Sequence, residues 1–135
     1  MAEERWRLFI AAPLPAAAAQ QLWHALSGMR ERHVAARWMV PEQYHATLVF
    51  LGSRAADEAA SLAPIIERVA AGWPSFAAGL GGSGGRDGGL RGGVAWLKVR
   101  PGRGELARLS LELDRALGSG TYGGSAPRPH VTVAR

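Results

Sequence analysis

Tyr44-His45-Ala46-Thr47-Leu48-Val49-Phe50-Leu51, closed by Gly52, begins with strict alternation of apolar and polar side chains, the signature of a half-buried strand. A second stretch repeats its opening: Pro129-His130-Val131-Thr132-Val133-Ala134-Arg135. The chain holds four histidines and three threonines in 135 residues, so chance supplies about 0.09 His-x-Thr pairs. It contains two. A strand's period of two puts the imidazole and the hydroxyl of each pair on one face, with apolar residues behind. The duplication therefore points to two matched strands of one fold.

Working outward from the first pair, residues 36–40 read as a strand that turns at Pro41-Glu42-Gln43, giving a hairpin pairing over 37–51. Upstream, residues 7–12 form a short buried strand. Pro13 and Pro15 follow it, and Ala19, Leu22, Leu26 and Met29 then mark a single helix running to about 28–32. His24 and His33 on this stretch read as ordinary surface residues. Downstream, Ser53 is a candidate helix cap, and Ala59, Leu62, Ile66 and Val69 recur at helical spacing. Pro64 should kink that helix or reset its start. Phe76, Ala78 and Leu80 alternate as a strand, which pairs across a glycine-rich mobile loop (nine glycines in 79–93) with the strand at 94–99. Leu106, Leu109, Leu113 and Leu117 mark a helix stopped by Gly118. Antiparallel pairings with helices between them predict an α+β fold in one domain, 1–135.

Composition narrows the chemistry. Sixteen basic against eleven acidic residues give a net charge of +5, and fifteen of the sixteen are arginine, whose planar fork suits phosphate. Absence of cysteine excludes disulfides, thiolate nucleophiles and Cys-ligated zinc. No apolar run approaches the roughly 20 residues of a membrane helix, and the charged start Met1-Ala2-Glu3-Glu4-Arg5 is unlike a signal peptide. A cytoplasmic, monomeric protein without membrane association is expected.

Two imidazole–hydroxyl pairs suit phosphoryl chemistry. Histidine titrates near neutrality, so one ring can act as base and the other as acid. A hydroxyl two residues along can donate to a non-bridging phosphoryl oxygen. Metal-dependent hydrolysis would want clustered acids near the histidines, and neither motif contains one. A serine hydrolase would want a Gly-x-Ser-x-Gly elbow opening a helix; Gly79-Leu80-Gly81-Gly82-Ser83-Gly84 has no helix after it.

These motifs resemble the 2H phosphoesterase superfamily, and within it the bacterial and archaeal RNA 2′,3′-cyclic phosphodiesterases, first described as 2′-5′ RNA ligases. The likeness runs from Arg7-Leu-Phe-Ile-Ala-Ala-Pro-Leu-Pro through the block at 37–52 to Arg128-Pro-His-Val-Thr-Val-Ala-Arg135. It implies a two-lobed fold of antiparallel sheets around a central cleft with helices outside. It implies hydrolysis of RNA or nucleotide 2′,3′-cyclic phosphate ends to 2′-phosphates without metal or cofactor. It assigns His45 as general acid, His130 as general base, Thr47, Thr132 and Arg135 as phosphate contacts, and Phe50 as a base-pocket residue. Regular alternation would send positions 50 and 135 to the face opposite the histidines, so a bulge or strand end has to turn them. Family members continue with further strands beyond the second motif, so the domain is expected to lack its last C-terminal strands. An RNA-binding module without turnover, or an enzyme for another cyclic phosphate or a 2′-5′ RNA linkage, is the alternative.

Overall fold

A computed structural model describes residues 3–84 and 93–135; most of the glycine-rich loop anticipated at 79–93 lies outside the described residues. In chain order the elements are β1 (Arg5–Pro13), α1 (Ala16–Ala25), α2 (Ser27–Arg32), a 3₁₀ turn (Pro41–Gln43), β2 (His45–Ala55), α3 (Glu58–Ala71), β3 (Leu80–Gly84), β4 (Ala95–Val99), α4 (Arg103–Leu117) and β5 (His130–Ala134). The fold is α+β, and the strands follow the hydrogen-bonded order β1-β2-β5-β4-β3. The β2–β5, β5–β4 and β4–β3 pairings are antiparallel.

The chain divides into two compact units. One comprises Met1–Ala11, Thr47–Ala78 and Gly102–Pro129; the other comprises Ala12–Ala46, Gly79–Pro101 and His130–Arg135.

In the second unit, β5 lies between the start of β2 and β4. Ala46 is register partner to Val131, and Trp96, Leu97 and Lys98 are partners to Thr132, Val131 and His130. The core beneath is Ala19, Leu26, Tyr44, Ala46, Ala95, Val131, Val133 and Ala134, with Leu14, Leu22, Trp23, Met29, Trp38 and Leu97 packed against it. Each buried valine side chain there contributes roughly 1.5–3 kcal/mol. The single helix expected up to 28–32 is broken at Leu26 (φ −88°, ψ 0°). Ser27 and Gly28 follow, both poorer helix formers than the alanines before. Residues 36–40 do not form a hairpin with β2. Trp38 instead bridges Ala134, and the Met39 amide donates to the Val133 carbonyl at 2.9 Å. Alternation identifies a strand-like segment but not its partner, and here the partner lies almost a hundred residues on. The strand expected over Phe76, Ala78 and Leu80 is displaced: residues 76–79 are not strand, and β3, starting at Leu80, pairs with β4 with a bulge between Gly81 and Ser83.

In the first unit, α3 and α4 pack together, and the Trp73 indole N–H donates to Glu112 at 2.7 Å. Ser53 lies within β2, and Asp57 is the residue preceding α3. Pro64 falls inside α3 without resetting its start. Before α4, Gly102 has φ +91°, and a Cβ there would meet the Ala77 carbonyl oxygen at 2.6 Å. Glycine alone meets both demands. The helix ends at Gly118 in the left-handed region as expected, the Ser119 amide reaching back to the Asp114 carbonyl.

Candidate active site

His45, His130 and Thr132 all belong to the second unit. On β5, His130 and Thr132 are half-buried while Val131 and Val133 are buried, so the polar pair occupies the face opposite the core. Continuing the Ala46 to Val131 register by one step sets His45 across from Thr132, on that same face. Two imidazoles and a hydroxyl on adjacent antiparallel strands thus share one sheet surface. On β2, Thr47 follows His45 at the strand period and is likewise half-buried, flanked by buried Ala46 and Leu48.

His45 is oriented by its own backbone. Its Nδ1 lies 2.7 Å from the Gln43 carbonyl oxygen. A carbonyl only accepts, so Nδ1 carries the hydrogen and Nε2 is the atom left to exchange a proton. His130 is oriented from β4: the Trp96 ring lies 5.1 Å from its centroid at 54°.

Arg135, which simple alternation would misplace, is turned where two successive residues of β5 are buried. From His45 to Phe50 and from His130 to Arg135 the burial sequence is the same: half-buried, buried, half-buried, buried, buried, exposed. In β5 the cause is a bulge. Ala95 partners Ala134 but Trp96 partners Thr132, so Val133 is an extra residue that shifts the phase by one. Arg135 returns to the side of His130 and Thr132. In β2, Leu48 and Val49 are both buried and Phe50 is 63% exposed, its ring centroid 6.5 Å from that of Phe9, itself 51% exposed.

A polar loop holds this part of β2. The Leu48 carbonyl accepts from the Tyr122 hydroxyl, and the Phe50 carbonyl accepts from Thr121 Oγ1 at 2.7 Å. The loop is anchored by Asp114, whose carboxylate accepts from the Ser119 hydroxyl and from the Thr121 and Tyr122 amides. Burial alone would raise the Asp114 pKa, but these hydrogen bonds outweigh it and hold the group below the usual carboxylate range. Neither this anchor nor Trp96 stands out in the sequence, where no motif marks them. His24 and His33 are exposed on and after the helices. Among the described residues no three His, Asp or Glu side chains gather as a metal-ligand set. No helix among the described residues is long and apolar enough to cross a membrane.

Sequence and structure comparisons agree with the class of protein this surface suggests. Residues 13–135 match the 2′-5′ RNA ligase superfamily. The chain is 32% identical, over 98% of its length and 73% of the relative's, to the RNA 2′,3′-cyclic phosphodiesterase of Escherichia coli K12. Its fold superimposes on E. coli LigT, in the crystal structure with ATP, with a TM-score of 0.72 at 30% identity, covering 98% of this chain and 72% of that one. A protein of Thermus thermophilus gives 0.77 at 27% identity, covering 96% and 74%. The chain belongs to the 2′-5′ RNA ligase superfamily, whose members are 2H phosphoesterases.

Proposed function

We propose that this chain hydrolyses 2′,3′-cyclic phosphates at RNA or nucleotide ends to 2′-phosphates, without a metal. The observation that carries this reading is the placement of His45, His130 and Thr132 on one sheet face in adjacent strands. The name of the E. coli relative supports the substrate class.

His130 accepts a proton from water as the water oxygen attacks phosphorus. The bond from phosphorus to the ribose 3′ oxygen breaks, and His45 Nε2 delivers a proton to that oxygen, leaving a 3′ hydroxyl and a 2′-phosphate. Donation from Nδ1 to the Gln43 carbonyl fixes the ring so that Nε2 is the nitrogen used in this step. Thr132, Thr47 and Arg135 donate to the non-bridging oxygens, where negative charge grows. Phe50 stacks against the base.

The test is incubation with nucleoside 2′,3′-cyclic phosphates in excess EDTA, with the product identified by chromatography. The expected product is the 2′-phosphate. Activity that appears only on adding Mg²⁺, Mn²⁺ or Zn²⁺ would refute the metal-free mechanism.

A further inference from the structure

The face that bears His45 and His130 extends one strand further. On β4, Lys98 is the register partner of His130 and Trp96 the partner of Thr132. Partners in an antiparallel ladder point to the same side, with Cα atoms about 4.5–5.5 Å apart. Lys98 is half-buried, its neighbour Val99 is buried, and Leu97 packs against the core, so alternation also places Lys98 on the histidine side. It is the only lysine in a chain of fifteen arginines. None of the ion pairs among the described residues engages it. A cation therefore stands beside His130 on the side away from β2.

We propose that Lys98 binds a second phosphate of the substrate, the 5′-phosphate or phosphodiester of the nucleotide whose 2′ and 3′ oxygens carry the cyclic phosphate. This rests on the function proposed above. The reacting phosphorus belongs between His45 and His130, on the β2 side of β5, whereas Lys98 lies one strand spacing, about 4.8 Å, beyond His130. A 2′,3′-cyclic end blocks both ribose oxygens through which RNA could continue in the 3′ direction. Any neighbouring phosphate must attach through the 5′ oxygen. Trp96, against the His130 ring, walls the surface between Thr132 and Lys98. Lys98 thus selects an oligonucleotide end over a bare nucleoside cyclic phosphate.

The experiment compares a dinucleotide ending in a 2′,3′-cyclic phosphate with the corresponding nucleoside 2′,3′-cyclic phosphate. Lys98→Met keeps the aliphatic stem and removes the charge. It should raise KM for the dinucleotide about tenfold, the size of one charge-assisted contact, with kcat within about twofold. The nucleoside substrate should be unaffected, and Lys98→Arg should restore most of the difference. The salt dependence of dinucleotide KM should fall by about 0.7 in log–log slope. An equal change with both substrates, or none with either, overturns the proposal. If the wild type hydrolyses neither substrate, the proposed function fails. Lys98 is then judged by equilibrium binding of a dinucleotide 2′-phosphate, and equal affinity of wild type and Lys98→Met would overturn its role.

Discussion

Arg37 and Arg135 exchange both of their backbone hydrogen bonds, the Arg37 amide to the Arg135 carbonyl at 2.8 Å and the reverse at 2.9 Å. The closed pair fixes the Arg135 main chain whatever its side chain does, while the guanidinium stays exposed. Arg135→Ala should therefore leave stability within about 0.5 kcal/mol. Cyclic phosphate turnover should drop about 10²-fold, as expected for one lost charge-stabilising donor. Thermal unfolding and kcat/KM, measured on the same preparation, separate the two effects.

The histidines should behave as a pair. His45→Ala and His130→Ala should each lower kcat about 10²–10⁴-fold, the contribution of one positioned acid or base. The double variant should lose far less than the product of the singles, because either loss alone already disables the shared proton transfer. Wild-type turnover in both single variants would remove the basis of the mechanism.

Asp114 makes stability pH-dependent on the acid side. Its pKa is depressed on folding, so its contribution is fully present above the unfolded value of about 3.9. That contribution is lost as pH falls through the lower, folded value. Asp114→Asn should cost about 2 kcal/mol at pH 7, since hydrogen bonds from Ser119, Thr121 and Tyr122 lose a charged acceptor. The penalty should shrink in urea titrations run at pH 3. An equal penalty at both pH values would contradict the assignment.

Tyr44 is 1% exposed, and its hydroxyl has no hydrogen-bond partner among the described residues. Leaving such a group buried and unpaired is costly. Tyr44→Phe removes only that oxygen from the second unit's core and should stabilise by about 1 kcal/mol, read as a raised urea midpoint with unchanged slope.

The sequence made the chemistry legible because the His-x-Thr pair is duplicated in a chain with few histidines and threonines. Its strand period already placed ring and hydroxyl together. Turn and cap chemistry was equally readable at Gly118 and at Pro41-Glu42-Gln43, which forms a 3₁₀ turn. What escaped were the features set by register and distant partners. Residues 36–40 pair with β5 rather than β2, and nothing local to either segment states this. Ser110 and Asp114 are buried on α4, where periodicity marked only leucines; the Asp114 carboxylate finds its partners in a loop the helix itself does not encode. Lys98 and Trp96 looked like any residues of a strand until the β4–β5 register set them beside His130 and Thr132.

The doubled buried pair Val133-Ala134 has a consequence for how β5 tolerates change. It works as a spacer, its effect on the phase of the strand coming from one extra residue. Side-chain identity is loosely constrained; the count is not. Deleting either Val133 or Ala134 would restore regular alternation and rotate the residue now numbered 135 to the core side, leaving a guanidinium facing apolar packing. Inserting a third apolar residue would do the same. Substitutions at 133 and 134 are matters of volume, whereas a single-residue insertion or deletion there is a frameshift of the surface itself.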